Sequence, residues 1–487
     1  MTPATAATIC VPLSDWHANV RTWARTSGPG FAVTSPRRCK TLNNATGRTS
    51  HQDRVWSVAE HLDDVLSKIA PLDPIELQLL DAQGCVLVED VTVPVALPPF
   101  DNSSMDGYAV RAADVADATE SAPAALTVIG DVAAGSGELP AIGPGQAARI
   151  MTGAPVPPGA EAVVPVEWTD GGTGQGPAAT MRAHSAAPED AGGEVRVHRP
   201  AAAGAHIRAR GSDVTEGELA LAAGTVLGPS QIGLLAAIGR GTVRVRPRPR
   251  VVVLSTGSEL VQPGEALGPG QIHDSNSFQL TAAARAAGAI AYRVGAVADD
   301  AETLRSTLED QLIRADILVT SGGVSVGAYD VVKETLVALS STEDDGSSLA
   351  GGTVEFRRLA MQPGKPQGFG LIGPDRIPLL ALPGNPVSSY VSFELFVRPA
   401  IRALMGLSEV HRSTTPARCT EAVASSPKGK RQFLRGSYDA EAGTVTPVGG
   451  AGSHLIKAMA HANALIIVPE DTTEVPAGTD VEVVLLG

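Results

Sequence analysis

Apolar positions change their period near residue 250, and that change divides the chain. Between residues 55 and 69 they recur at helical spacing (Val58, Leu62, Val65, Ile69) ahead of Pro71, which predicts a helix. Residues 75–79 and 86–88 read as extended. From 98 to about 167, short apolar runs such as 108–110, 126–129 and 162–166 are separated by Gly/Pro turns, the pattern of a small β-barrel or sandwich. Residues 170–194 read as loop, 195–227 as short strands, and 229–238 as a short helix starting at Pro229 or Ser230. In 244–250 Arg alternates with Val and Pro. That stretch reads as a stiff, solvated linker, because Pro247 and Pro249 disfavour a central strand.

Beyond 250 the pattern becomes that of alternating strands and helices. The β-branched run 251–254 and the segments 291–297, 317–320 and 377–382 predict strands; 277–287, 302–313, 330–339 and 387–404 predict helices. This order predicts a parallel sheet covered on both faces. Residues 340–352 read as a flexible insertion. From about 415 short alternating strands return, predicting a small C-terminal β-domain.

Composition narrows the function classes. A chain of 487 residues with 43% hydrophobic residues can bury several cores. A net charge of -14 and 3% aromatics argue against a nucleic-acid surface, and no apolar run reaches the length of a membrane span. Cys10, Cys39, Cys85 and Cys419 lack C-x-x-C spacing and a His cluster, so they read as reduced thiols of a cytoplasmic protein, without structural zinc. Residues 1–54 are basic and differ from the rest. They have the composition of an organelle transit segment but read more simply as a poorly ordered extension or an upstream start.

The chemistry-bearing residues fall where an open parallel sheet binds ligands, at the C-terminal ends of its strands. Four such loops are Ser255-Thr256-Gly257-Ser258-Glu259, Asp274-Ser275-Asn276, Ser321-Gly322-Gly323-Val324-Ser325-Val326-Gly327 and Pro383-Gly384-Asn385-Pro386-Val387-Ser388. Glycine exposes backbone amides for a phosphate or a polar ring edge. Glu259, Asp274 and Asp330 add carboxylates, the oxygen ligands that Mg²⁺ prefers. Lys365, between prolines in Pro363-Gly364-Lys365-Pro366, is a candidate for neutralising an anion. Each piece has a plainer reading: Asp274 as a helix cap, Pro383-Gly384-Asn385-Pro386 as a tight turn, Lys365 as a surface lysine. Their joint placement at one sheet edge favours a site for a phosphorylated small molecule. Two further dense segments lie upstream, residues 98–110 around Asp106 and Arg149-Ile150-Met151-Thr152-Gly153-Ala154-Pro155.

Together, residues 99–108, 149–154, 255–260, 321–327, 363–366 and 382–388 resemble, in order, the motifs of the molybdopterin molybdenumtransferase family, called MoeA in bacteria and the E domain of gephyrin in animals. The resemblance spans about 55–487 and implies a central doubly wound α/β, molybdopterin-binding domain (248–408). It also implies an N-terminal helix/strand module for linkage and dimerisation (55–97 plus 195–247), an inserted β-barrel domain (98–194) and a C-terminal small β-domain (409–487). The implied activity is molybdenum insertion into adenylylated molybdopterin with release of AMP, the last step of molybdenum cofactor synthesis. The implied cofactor is Mg²⁺, and the substrates are molybdate and adenylylated molybdopterin.

By the same resemblance the protein is a homodimer with a composite active site. Asp106 and Thr152 reach in from the partner subunit, and Asp274 and Asp330 bind Mg²⁺ or activate hydrolysis. Thr256, Gly257, Glu259, Gly322, Gly323, Ser325, Gly327, Pro383, Gly384 and Asn385 belong to the pterin and phosphate site. Lys365 and Ser388, with Arg435 and Ser453 as looser matches, hold the oxyanion. Molybdopterin adenylyltransferase and molybdoenzymes or their chaperones are the implied partners. Two positions depart from the family pattern. Ser212 stands where many members carry Glu, leaving Asp213 or Glu216 as replacements, and Gln362 stands where many carry Lys. Either change can lower activity or shift the oxyanion preference toward tungstate. The alternatives are a molybdopterin adenylyltransferase, which usually consists of the α/β domain alone, and a non-catalytic dimeric scaffold or cofactor carrier.

Overall fold

The computed structural model describes residues 54–174, 176–180, 193–324, 333, 335 and 353–487. The expected extension over 1–54 (apart from Arg54), the helix over 330–339 (apart from positions 333 and 335), the insertion over 340–352, and Ser325, Gly327 and Asp330 lie outside the described residues.

The site-bearing sheet is built from β1 (Val55–Trp56), β2 (Arg250–Thr256), β3 (Ile290–Val297), β4 (Ile317–Ser321), β5 (Thr353–Leu359), β6 (Pro366–Ile372) and β7 (Ile377–Leu382). Its helices are α1 (Val58–Ser67), α2 (Asn276–Ala286), α3 (Ala301–Leu312), α4 (Pro386–Ser392) and α5 (Arg398–Leu404). Strand order is β1-β5-β6-β7-β4-β2-β3. The β-branched run 251–254 has no polar face because both faces are covered. Val251 and Val253 pack with Leu280, Ala284, Val387 and Phe396 on one side; Val252 and Leu254 pack with Leu304 and Leu308 on the other.

The sheet is mixed, not purely parallel. β7, β4, β2 and β3 run parallel, but β6 pairs antiparallel with both β5 and β7. Two features hid these strands. β5 carries charged residues at alternate positions, and β6 begins at Pro366 and contains Gly368 and Gly370. Those glycines are required by close packing: a Cβ on Gly370 would lie 2.0 Å from the Thr353 carbonyl oxygen. The helix expected over 387–404 is also interrupted. A π-helical turn, Phe393–Val397, separates α4 from α5, consistent with Pro399 lacking an amide donor. The helix expected from 55 begins later, at Val58. Ser57 accepts from the Glu60 amide at 3.1 Å and the Glu60 carboxylate accepts from the Ser57 amide at 2.8 Å.

The stretch 244–250 is not a solvated linker. Thr242–Arg246 is the central strand of a three-stranded sheet, flanked by Ile75–Gln78 and Val86–Leu87, and the prolines follow it. The arginines fasten this module to its neighbours. Arg246 donates to the Leu72 carbonyl at 2.6 Å, Arg248 to those of Gly288 and Ala289, and Arg250 pairs with Asp316 at 2.7 Å.

The inserted domain is a five-stranded sheet in the order 193–197, 124–132, 146–150, 107–110, 162–165. A bridge between Thr169 and Val197 draws its two edges together into a barrel, and Gly193 and Glu194 belong to its edge strand rather than to the preceding loop. The C-terminal domain is a six-stranded β-sheet that also takes in Met361–Gln362, so the Lys365 turn leaves directly from it. Among the described residues no helix is long and apolar enough to cross a membrane, and Cys85 and Cys419 are free and buried.

Candidate active site

Three strand ends meet around Gly322. The sequence turns sharply after β4, with Gly322 at φ +103° and Gly323 at φ +63°, conformations that favour glycine. A Cβ on Gly322 would lie 2.5 Å from the Thr256 carbonyl oxygen and 2.8 Å from Thr256 Oγ1, at the end of β2. A Cβ on Gly384, after β7, would lie 3.4 Å from Gly322 Cα. Here the chain is bare backbone packed on bare backbone. Gly257 has φ +153°, and a Cβ there would lie 2.6 Å from the exposed Glu259 carboxylate.

Below these loops runs a buried hydroxyl and amide network. Asn276 Nδ2 donates to the Gly384 carbonyl at 2.6 Å and to Ser321 Oγ at 2.9 Å. Ser321 Oγ is 3.1 Å from Ser389 Oγ and donates to the Pro383 carbonyl at 3.3 Å. Asn276 thereby joins the start of α2 to the loops after β4 and β7. Its spacing from Asp274 marked only a helix start, so the role was invisible before the loops came together.

Asp274 is wholly buried. Its Oδ1 accepts from the Ser277 amide at 3.1 Å, its Oδ2 accepts from the Ser277 hydroxyl, and Arg293 lies at 3.9 Å. The capping reading of Asp274 therefore holds: it satisfies an amide at the start of α2. Arg293 in turn stacks on Phe278, 4.1 Å from the ring centroid.

Ser388 lies on α4, and the segments carrying Lys365 and Ser453 pack against that helix. Asn385 precedes that helix without a side-chain capping bond, and Ser388 is buried on its first turn. The Val387 amide donates to the Ser453 carbonyl at 3.1 Å, which places the C-terminal domain against this helix. The Lys365 turn packs on α4 as well. A Cβ on Gly364 would lie 2.9 Å from Ser392 Oγ, and Gln367 donates to Ser392 Oγ at 2.6 Å. Lys365 itself is exposed. Arg435 differs from expectation in what it contacts. It is 2% exposed, and its guanidinium donates to the carbonyls of Val448, Gly450 and Gly452. It shapes the loop that ends at Ser453, and burial pushes its pKa down.

Asp106 and Thr152 form a separate, exposed unit on the barrel. Asp106 Oδ1 accepts from both the amide (2.7 Å) and the hydroxyl (2.9 Å) of Thr152. The dense cluster before it is partnered within and outside the segment: Asn102 Nδ2 donates to the Phe100 carbonyl at 3.2 Å, and the Asp101 carboxylate accepts from the Arg210 amide at 2.7 Å. Among the described residues no hydrogen bond connects Asp106 or Thr152 to the loops of the α/β sheet. Of the candidate replacements for the missing Glu, both Asp213 and Glu216 are exposed, and Glu216 pairs with Arg210 at 3.6 Å.

Among the described residues no group of three or more His, Cys, Asp or Glu stands together to hold a metal. Asp274 is the described member of the carboxylate pair. Mg²⁺ takes carboxylate oxygens together with water and substrate phosphate, but both Asp274 oxygens are engaged by Ser277 in a fully buried site.

Three family models match the chain in order. Residues 56–239 match the MoeA N-terminal region (domain I and II), 252–403 a probable molybdopterin binding domain, and 416–486 the MoeA C-terminal region (domain IV). Molybdopterin molybdenumtransferase 2 of Mycobacterium tuberculosis is 45% identical over 427 residues, covering 88% of this chain and 98% of that protein. Molybdopterin molybdenumtransferase of Bacillus subtilis is 34% identical over 414 residues, covering 84% of this chain and 89% of that protein. The crystal structure of the molybdopterin biosynthesis MoeA protein from Pyrococcus horikosii superposes with a TM-score of 0.65 at 32% identity, covering 89% of this chain and 100% of that one. With all three regions present in order and a curated relative 45% identical over most of the chain, the chain belongs to the MoeA family of molybdopterin molybdenumtransferases.

Proposed function

We propose that this protein inserts molybdenum from molybdate into adenylylated molybdopterin with release of AMP. The observation that carries the reading is the meeting of three strand-end loops at Gly322 in the domain that matches a molybdopterin-binding model. In the hydrolytic half, a water oxygen bonds to one phosphorus as the bridging P–O bond breaks, leaving AMP and the pterin's own phosphate. In the insertion half, two Mo–S bonds form as one Mo–O bond of molybdate breaks, and that oxygen leaves as water with the two dithiol protons.

The chain's residues divide the work. Gly257, Gly322, Gly323, Gly384 and Asn385 admit the ligand to bare backbone, where amides can meet phosphate. Glu259 borders that surface. Lys365 supplies positive charge to the molybdate oxygens, and Ser388, Ser453 and the Arg435-held loop form the wall of that site. Asp274 and Asp330, with Ser325 and Gly327 nearby in sequence, are assigned to Mg²⁺ and the phosphates. Bound Mg²⁺ would neutralise phosphate charge. Asp106 and Thr152 are assigned to the site of a second subunit in a homodimer. A molybdopterin adenylyltransferase would supply the substrate, and molybdoenzymes or their chaperones would take the product.

Purified protein given adenylylated molybdopterin, molybdate and Mg²⁺ should release AMP and yield a cofactor that activates a cofactor-free molybdoenzyme. Binding of the substrate without AMP release would leave only a carrier role. Transfer of AMP from ATP to molybdopterin would indicate the adenylyltransferase instead.

A further inference from the structure

A cavity of about 500 Å³ lies where α5 meets the C-terminal domain, a volume in the range of small-molecule sites. Three arginines line it: Arg398 and Arg402, one turn apart on α5, and Arg412 in the link to the C-terminal domain. Tyr438 of that domain is part of the wall, and the exposed Ser413 and Ala440 stand at its mouth, so solvent reaches it. The cavity is remote from the strand-end loops along the chain's helical run. Arg398 is twelve positions beyond Pro386 in 386–404, about 18 Å at the α-helical rise.

Charge in this cavity does not balance. The buried carboxylate beside it is Glu394, 4% exposed. Arg412 occupies both of its oxygens, with Nε donating to Oε2 at 2.8 Å and Nη2 to Oε1 at 3.2 Å. Arg398 Nε is left 4.0 Å from Oε2, beyond hydrogen-bond reach, and is buried without a hydrogen-bond partner. Arg402 Nε meets only a neutral group, the Glu409 carbonyl, at 2.6 Å. The Glu409 side chain and the chain end at Gly487 are exposed, and among the described residues neither forms an ion pair with these guanidiniums. His411 also lines the cavity, and burial holds its pKa down, so it adds no fixed charge at neutral pH. Burial, and then the Arg412 charge, push the Arg398 pKa down; burial does the same at Arg402 against the opposing Glu409 charge.

This surplus is permanent, because a guanidinium stays protonated in proteins. What relieves it must bring negative oxygens. The planar N–H forks of arginine match the paired oxygens of phosphate and carboxylate groups, and three guanidiniums against one buried carboxylate favour a multivalent anion over a monovalent one.

We propose that this cavity binds a small, multiply charged oxyanion through Arg398 and Arg402, at the junction of α5 and the C-terminal domain. Arg412 remains with Glu394. The site is separate from the strand-end loops and does not depend on the activity proposed above.

The test is calorimetric titration of the full-length protein with inorganic phosphate, pyrophosphate, citrate and acetate. The double variant Arg398→Gln/Arg402→Gln keeps the Glu394–Arg412 pair. It should weaken binding of the multivalent anions by about tenfold or more, as expected for losing charge-assisted hydrogen bonds. Lys365→Ala, on the Pro363–Pro366 turn, should leave that binding within about twofold. Binding of phosphate and pyrophosphate alone would support the site and identify a phosphorylated ligand; binding of citrate alone would support it and identify a polycarboxylate. If the double variant does not fold, Arg402→Gln alone carries the test with a smaller loss in the same direction. No binding of any probe, acetate bound as tightly as the multivalent anions, unchanged affinity in the arginine variants, or a loss confined to Lys365→Ala would overturn the assignment.

Discussion

Gly322 and Thr256 stand closer than any other residue type at position 322 would allow. A Cβ there would lie 2.5 Å from the Thr256 carbonyl oxygen, and the backbone has φ +103°. Both the clash and the dihedral angle oppose an L side chain. Gly322→Ala should therefore destabilise the protein by about 2–3 kcal/mol and abolish AMP release, because the loop must move away from β2. Thermal unfolding and an AMP-release assay check this; an alanine variant with wild-type stability and turnover would show that the approach is not required.

Asp106 and Lys365 lie on different domains, and the composite-site reading assigns them to different subunits of one active site. Asp106→Ala and Lys365→Ala should each be inactive alone. Mixed after subunit exchange, they should regain about a quarter of wild-type activity, since about half of the dimers are mixed and each of those rebuilds one site of two. No recovery in a mixture shown to contain heterodimers would place both residues in the same subunit's site.

Acid should weaken the contact between α1 and the sheet through His61. This ring is buried edge-on between Phe369 and Phe396, and its Nδ1 lies 3.3 Å from Arg357 Nη1. Burial, aided by the Arg357 charge, holds its pKa down from 6.5 to about 3. The folded state thus keeps the ring neutral while the unfolded chain takes up a proton. Stability from this group is complete above about pH 6.5 and falls as pH drops toward 3, by about 1.4 kcal/mol per pH unit. His61→Gln should lower the melting temperature at pH 7 yet show a shallower loss between pH 6.5 and 4.5. A variant with an unchanged acid slope would rule out His61 as the titrating group.

By the resemblance to the family's motifs, Gln362 and Ser212 stand where charged residues are expected. Gln362 sits in the short strand paired with Arg431–Asp439, three residues before Lys365. Restoring charge with Gln362→Lys and Ser212→Glu should raise turnover with molybdate and reduce any relative preference for tungstate. Kinetics with both oxyanions should change by several-fold; identical values for the parent and the double variant would show that these departures carry no specificity.

The strand-end loops were legible because glycine and proline punctuate them and because β-branched runs announce strands buried on both faces, as in 251–254. Thr242–Arg246 was hidden by the prolines after it, and β5 and β6 by charges and glycines that tertiary packing accommodates. Asp274 was legible as an acid at a helix start. Its complete burial against Ser277 and Arg293 depends on a strand met only after α2. Arg435 read as a charge for an anion, yet its guanidinium is engaged by three carbonyls of one loop.

The sequence by itself determined the local chemistry: where the chain can turn, which segments must be buried, and which groups can carry charge. Those properties depend on backbone sterics and on the spacing of apolar side chains, and both are written residue by residue. Only the tertiary structure decided which of those groups meet. Asn276, Ser321, Gly384 and Ser389 are separated by up to 113 positions yet share one buried network, because strand order places β4 between β2 and β7. Strand order is set by the cooperative packing of both sheet faces, which no single stretch of sequence contains.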